Sequence, residues 1–256
     1  MSSNNTKILS GKLLASLYRK KIQAVIEKLK NEGKRAPGLA VVLVGDNPAS
    51  AVYVKNKEKA ALSCGFYTEN YHLAESTSSN KLSALINDLN QNPQIDGILL
   101  QLPLPAHLNA DFFVEQIDPE KDSDGLHPYN QGKLFRGQEA VYPCTPLGIL
   151  RLIDLAFSEV NLKEECQISV LDEIKKQDLS GLNALVIGRS ALVGKPVSVL
   201  LLQRNATVTI AHSRTKNLKE LSQKSDILVA AAGVKELVNK EYVSQGQIVI
   251  DVGINR

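Results

Sequence analysis

The sequence predicts an α/β fold in two units, each wound around its own parallel sheet. Short continuous apolar runs closed by glycine recur along the chain, and segments of helical spacing lie between them. One weakly patterned stretch near the middle separates the two series. Runs of this kind suit strands buried on both faces, which parallel sheets covered by crossover helices provide.

The elements follow in order. Leu14, Tyr18, Ile22, Ile26 and Leu29 recur at helical spacing and Gly33 ends the run, so a helix is predicted over 11–32. LAVVLVG (39–45) is β-branched and closed by glycine, a buried strand. Asn47-Pro48 supplies an N-cap with proline in the first turn, and Gly65 lies at the far end of a helix over 48–64. GFYTENYHL (65–73) reads as a second strand, STSSNKLSALINDLN (76–90) as a capped helix, and DGILLQLPLP (96–105) as a strand ending in prolines. From 106 to 146 only HLNADFFVEQI has the look of a short helix, and DPEKDSDGLHPYNQGKLFRG is turn-rich. A long ordered loop in a compact protein is usually functional. TPLGILRLIDLAF (145–157) restores helical spacing, which puts the domain boundary there: 1–147 and 148–256. The charged segment 158–181 reads as a surface excursion with room for a short helix. Beyond it come LNALVIG (182–188), a helix from about 194, TVTIAH (207–212), a helix around 217–224, DILVAAAG (226–233) closing on Gly233, and QIVIDVGI (247–254).

Composition narrows the function. A net charge of +3 gives no footing for nucleic acid or a membrane surface. No window approaches the roughly 18 apolar residues of a membrane span. The start, MSSNNTKILS, lacks the apolar core of a secretory signal. Cys64, Cys144 and Cys166 are odd in number, without metal-ligand spacing, and read as reduced thiols in a cytoplasmic compartment. No metal site is expected.

The stretch LVIGRSALVGKPV (185–197) carries the first chemical signal. Gly188 and Gly194 suit a tight turn and a close helix–strand approach, with the helix N-terminus aimed at a pyrophosphate. A glycine pair between strand and helix is as often a plain turn. The next strand sharpens the reading. NAD-binding units usually carry an acid about 20 residues past the glycines. Here TVTIAH runs instead into Ser213, Arg214 and Thr215. Hydroxyls and guanidinium suit a phosphate, and Arg189 and Ser190 follow the neighbouring strand. Together they point to NADP over NAD. The plain alternative is two solvated arginines on loop tips.

In the first half, Tyr53 and Lys57 lie four apart on one helix face that continues through Ala60, Ala61 and Cys64. An amine on such a face is partly desolvated and becomes a better proton acceptor. Lys55, Lys57 and Lys59 alternate, however, and most helical lysines are simply solvated. Gln101 follows a buried strand, where open α/β sheets bind ligands. Asp122 and Asp124 flank a glycine turn in KDSDG, which alone is a turn or a weak cation site.

As a set, YVKNK, QLPLP, KDSDGLHPYNQGKL, PCTPLG, VIGRSALVGKP, HSRT and VIDVGIN occur in one order from about residue 7 to 256. They closely resemble the bifunctional methylenetetrahydrofolate dehydrogenase/cyclohydrolase family. The resemblance implies two α/β domains around a cleft, the second a Rossmann-type NADP-binding domain. It implies oxidation of 5,10-methylenetetrahydrofolate with NADP⁺ and hydrolysis of the methenyl product to 10-formyltetrahydrofolate, usually by a homodimer. Carried over by motif, Lys57 matches the active-site lysine, Gln101 its hydrogen-bonding partner, Tyr53 the tyrosine packed on the folate, and Asp124 the carboxylate that grips the pterin. Gly188, Arg189, Ser190, Ser213 and Ile254 match cofactor contacts, and Gly194, Arg214, Thr215 and Gly233 are grouped with them. Two departures stand out. The 158–181 excursion is longer than the family's usual link and reads as decoration. The sequence stops at Arg256, where the family continues with a glycine-rich loop and a helix, so very low activity with residual NADP⁺ binding is expected of these residues alone. The competing readings are another two-domain dehydrogenase acting on a small acid, and a truncated, non-catalytic NADP-binding member of the same fold.

Overall fold

The computed structural model describes residues 6–253. Two compact units divide them, 16–131 and the combination of 1–15 with 132–256. The expected boundary after 147 therefore differs from the observed division. Residues 132–147 pack with the second unit, where Leu134 and Tyr142 join the apolar cluster of that sheet.

In the unit of 16–131, β1 (Gly38–Val44) lies between β2 (Tyr67–Leu73) and β3 (Gly97–Leu100), all parallel. Val42, Leu82, Ile86, Ile98 and Phe113 form its core. The chain enters from α1 (Gly11–Asn31), and α2 (Pro48–Cys64) leads from β1 to β2. Asn47 caps α2 by accepting from the Ser50 N–H at 3.1 Å, and Gly65 ends it at φ 92°, where any side chain would be strained. α3 (Ser79–Gln91) begins at the Ser78 cap and crosses over β1 to reach β3. The Lys121 ammonium closes its far end, donating to the carbonyls of Leu89, Asn90 and Asn92 at 3.1, 2.7 and 2.9 Å. A cation there satisfies orphan carbonyls and opposes the helix dipole.

The stretch that looked like one long loop holds α4 (Ala110–Val114), as expected, and α5 (Pro128–Phe135), which was not. The sequence of α5, PYNQGKLF, has little helical periodicity. Its entry is fixed from outside by the Asp122 carboxylate, which accepts from the N–H groups of Leu126 and His127 at 3.1 and 2.8 Å. Tertiary contacts override local propensity here.

The other unit contains α6 (Cys144–Phe157), β4 (Asn183–Ile187), α7 (Gly194–Leu202), β5 (Thr207–Ala211), α8 (Leu218–Gln223), β6 (Ile227–Ala230) and β7 (Ile248–Asp251). Its four strands are all parallel in the order β5-β4-β6-β7. No helix among the described residues is long and apolar enough to cross a membrane.

The excursion at 158–181 is more than decoration. Besides a 3-10 turn over Ile168–Asp172, it buries Leu171, Ile174 and Leu179, and Leu179 belongs to the main apolar cluster of the unit. It is also tied down by polar contacts. Asp154 on α6 is fully buried and pairs with Arg204 just past α7, while its Oδ1 accepts from the Gln177 N–H at 3.0 Å. Leu179 in turn donates its N–H to the Arg204 carbonyl at 2.7 Å. Buried charge was hidden in the sequence because Asp154 falls in an otherwise apolar helix whose partner lies 50 residues away.

Breaking such a pair leaves the buried Asp154 charge with only the half-exposed Arg151 guanidinium, 3.4 Å away, as an ionic partner. Arg204→Met should therefore lower unfolding free energy by roughly 3–5 kcal/mol, read from urea denaturation, whereas an exposed Lys219→Met should change it little.

Candidate active site

Both sheets share one topological feature. In the first, the chain leaves β1 toward β2 on one side and returns to β3 on the other. In the second, it leaves β4 toward β5 and returns to β6. Such reversals open a crevice at the carboxyl ends of the two central strands, where open α/β sheets take ligands. Gln101 directly follows β3 in the first unit, and Gly188 and the 212–215 turn directly follow β4 and β5 in the second.

In the unit of 16–131, the Gln101 N–H donates to the Val42 carbonyl at 2.8 Å, one ladder bond beyond the end of β3. This fixes the Gln101 backbone at the strand tip. Its Nε2 donates to the Leu102 carbonyl at 2.7 Å, while Oε1 is buried with no partner among the described residues. A buried orphan acceptor is costly, so it signals a donor brought by a ligand or by a moving side chain. Lys57 does not fill that role here. Its Nζ lies 3.7 Å from Asp124 Oδ2, both side chains being about one-third exposed. Tyr53 is half-buried one turn earlier on the same helix. Burial raises the Asp124 carboxyl above the usual range, opposed by the Lys57 charge and reinforced by Asp122. A carboxylate kept beside an amine can bind N–H donors and move a proton.

Sequence reasoning missed what holds this loop. Ile98 of β3 bridges to Asp122, its N–H donates to the Lys121 carbonyl at 2.7 Å, and its carbonyl accepts the Ser123 hydroxyl at 2.8 Å. Asn130, itself buried, donates to Asp122 Oδ2 at 2.9 Å and to the Pro119 carbonyl at 2.8 Å. The two turn carboxylates thus differ: Asp122 faces inward to organise the loop, and Asp124 is left for chemistry. The only available signal was two aspartates in a glycine turn, which does not say which one points inward.

In the other unit, Gly188 has φ 125°, and a Cβ there would lie 2.5 Å from the Ala231 carbonyl oxygen. A Cβ on Gly194 would lie 2.2 Å from the Gly188 oxygen. Both glycines are therefore required for backbone to meet backbone at the start of α7. Ser190 Oγ accepts from the N–H groups of Val193 and Gly194 at 3.1 and 3.4 Å, which keeps its hydroxyl proton free to donate. Past β5, Thr215 Oγ1 accepts from the His212 N–H at 2.9 Å and His212 Nδ1 from the Arg214 N–H at 3.2 Å. Thr215 thus shapes the turn, while Ser213 and Arg214 are exposed at its tip. Ile187 and Ala211 are in register, so Arg189 and Ser213 follow adjacent strand ends. Neither Arg189 nor Arg214 has a carboxylate partner among the described residues. Gly233, at φ 63°, lines a recess of about 50 Å³ with Gly253 and Asp251 at the tips of β6 and β7. Ile254 lies outside the described residues.

A glycine-moulded turn flanked by unpaired cations places the chain among nucleotide-linked α/β enzymes. Comparison with known proteins narrows this. Residues 9–124 match the family described as tetrahydrofolate dehydrogenase/cyclohydrolase, catalytic domain, and residues 163–256 match its NAD(P)-binding domain. The bifunctional protein FolD of Streptococcus uberis is 45% identical over 251 residues, 98% of this chain and 82% of that protein. A crystal structure of the bifunctional FolD methylenetetrahydrofolate dehydrogenase/cyclohydrolase from Campylobacter jejuni superposes with a TM-score of 0.86 at 42% identity, over 97% of this chain and 81% of that one. The Trypanosoma brucei enzyme, solved with NADP cofactor and an inhibitor, gives 0.85 at 32% identity, over 97% and 78%. The chain belongs to the tetrahydrofolate dehydrogenase/cyclohydrolase family. Both its domains are represented, so the match extends beyond a nucleotide-binding module.

Because the fold raises the Asp124 pKa, ionising this group opposes folding. That penalty is absent below the unfolded value of about 3.9 and grows as pH rises through the folded value. Asp124→Asn should then unfold at a higher temperature than the parent protein at neutral pH, and the gap should close on acidification. A lower midpoint at neutral pH would contradict this.

Proposed function

We propose that the chain oxidises 5,10-methylenetetrahydrofolate with NADP⁺ and hydrolyses the methenyl product to 10-formyltetrahydrofolate. The observation that carries this reading is the Lys57–Asp124 pair, which falls with the orphaned Gln101 oxygen in the stretch matched to the catalytic domain. The cofactor reading is supported by the backbone cradle at Gly188 and Gly194, which no side chain would permit, and by the unpaired Arg189 and Arg214. Arg189, Ser190, Ser213 and Arg214 would hold the 2′-phosphate, and the α7 N-terminus the pyrophosphate. Bound NADP⁺ supplies the hydride acceptor.

The chain's own residues do the rest. Asp124 accepts N–H donors of the pterin and orients it, and Tyr53 packs on the folate ring. Oxidation asks mainly for alignment. Hydrolysis asks for proton transfer. Water adds to the methenyl carbon and gives up a proton to the Lys57 amine. The bond from that carbon to N5 then breaks as the added hydroxyl becomes the formyl carbonyl. N5 takes the proton held by the lysine, and the hydroxyl proton passes to solvent. The Gln101 oxygen steadies the amine by accepting one of its hydrogens. We assign the working protein to the cytoplasm as a homodimer, in keeping with the family resemblance and with three cysteines that form no disulfide.

Purified protein given methylenetetrahydrofolate and NADP⁺ should form reduced cofactor and then 10-formyltetrahydrofolate; binding of neither substrate would overturn the reading. Lys57→Met keeps the stem and removes the amine. A placed acid–base group contributes about 10²–10⁴-fold, so cyclohydrolase activity should fall by that order while dehydrogenase activity falls far less. Equal losses would make Lys57 a substrate-holding group only. Preference for NADP⁺ over NAD⁺ should be at least about tenfold, since each charge-assisted hydrogen bond is worth roughly 1.5–3 kcal/mol. Arg189→Ala should erode that preference, and retained selectivity would move the role to Arg214.

A further inference from the structure

We infer that Asp122 is a positioning residue for folate binding: its buried carboxylate holds the 119–130 loop against β3 so that Asp124 meets the substrate. This rests on the folate reading above. Asp122 is 2% exposed, yet it contacts no cation at ion-pairing distance among the described residues. Its charge is balanced by hydrogen bonds alone, from the N–H groups of Leu126 and His127 and from the Asn130 amide. A carboxylate is the one side chain of this size that accepts three such bonds without bringing a donor. Its backbone is bridged to Ile98, three residues before Gln101, so a single anchor sets the loop that carries Asp124 relative to the strand that leads to Gln101.

The buried charge also acts at a distance. The charged groups facing Asp124 are Lys57 from α2 and Asp122 from its own loop, and Asp122 holds the Asp124 proton more tightly. Asp124 grips N–H donors as the ionised form. Loss of the Asp122 charge therefore lowers the pH at which binding fails on acidification.

Asp122→Asn keeps the shape, turns one acceptor into a donor facing an N–H group, and removes the charge. In the full protein, KM for methylenetetrahydrofolate should rise about tenfold, with a smaller change in kcat and unchanged KM for NADP⁺. The acid limb of kcat/KM for the folate should move to lower pH. Asn130→Ala removes one donor and leaves the carboxylate, so it should raise the folate KM without moving the acid limb. Should Asp122→Asn unfold, Asn130→Ala and Asp122→Glu carry the test, the latter keeping the charge and the acid limb while raising KM. An unchanged folate KM in folded variants, or equal losses for folate and NADP⁺, overturns the inference. If the parent protein itself does not bind folate, the functional reading fails instead.

Discussion

A parallel strand cannot be joined to its neighbour by a tight turn, so consecutive strands of each sheet here are separated by a segment that carries the chain back to the other end. All other features depend on this constraint. The chain runs outward from the carboxyl ends of β1, β3, β4, β5 and β6, and the first residues after those strands are the ones left at the rim of a crevice. Gln101, Gly188 and the turn after β5 are all such residues. Strands β1, β3, β4 and β6 bury nearly all their side chains and leave chemistry to the positions just past the strand tips.

The two crevices solve different problems. At the start of α7 backbone meets backbone, which is why side chains are excluded at Gly188 and Gly194, and exposed cations stand nearby. In the other unit one carboxylate, Asp124, sits on an anchored loop where its own burial works against its ionisation. The first site relies on close approach, the second on an anchored loop. Their sensitivities differ accordingly: the first fails when a methyl group is added, the second when a distant hydrogen bond is lost.

Most elements were legible because they are local. The Asn47-Pro48 cap, the closing Gly65 and the short β-branched runs each act over a few residues, and the structure follows them closely. Spacing alone marked the candidate residues in the first unit weakly, as a lysine, a strand-end glutamine and a turn, since helical spacing cannot tell a functional amine from a solvated one; the ordered motifs named them. What stayed hidden was long-range. The Asp154–Arg204 pair spans 50 residues and the Lys121 cap on α3 about 30. No periodicity encodes such partners. Likewise the 158–181 segment looked dispensable, because its buried residues are scattered singly among charges.

That segment has two parts with opposite freedoms. From Leu171 to Leu179 it is nailed to the sheet by apolar burial and by the Gln177 and Leu179 amides. Residues 161–167 are largely exposed and held by little beyond a turn between Lys163 and Cys166. Added length in a loop of this kind costs little entropy, growing only with the logarithm of the loop. The stretch is therefore a natural graft point, where a reporter or a tether can be spliced into the chain with both crevices left as they are.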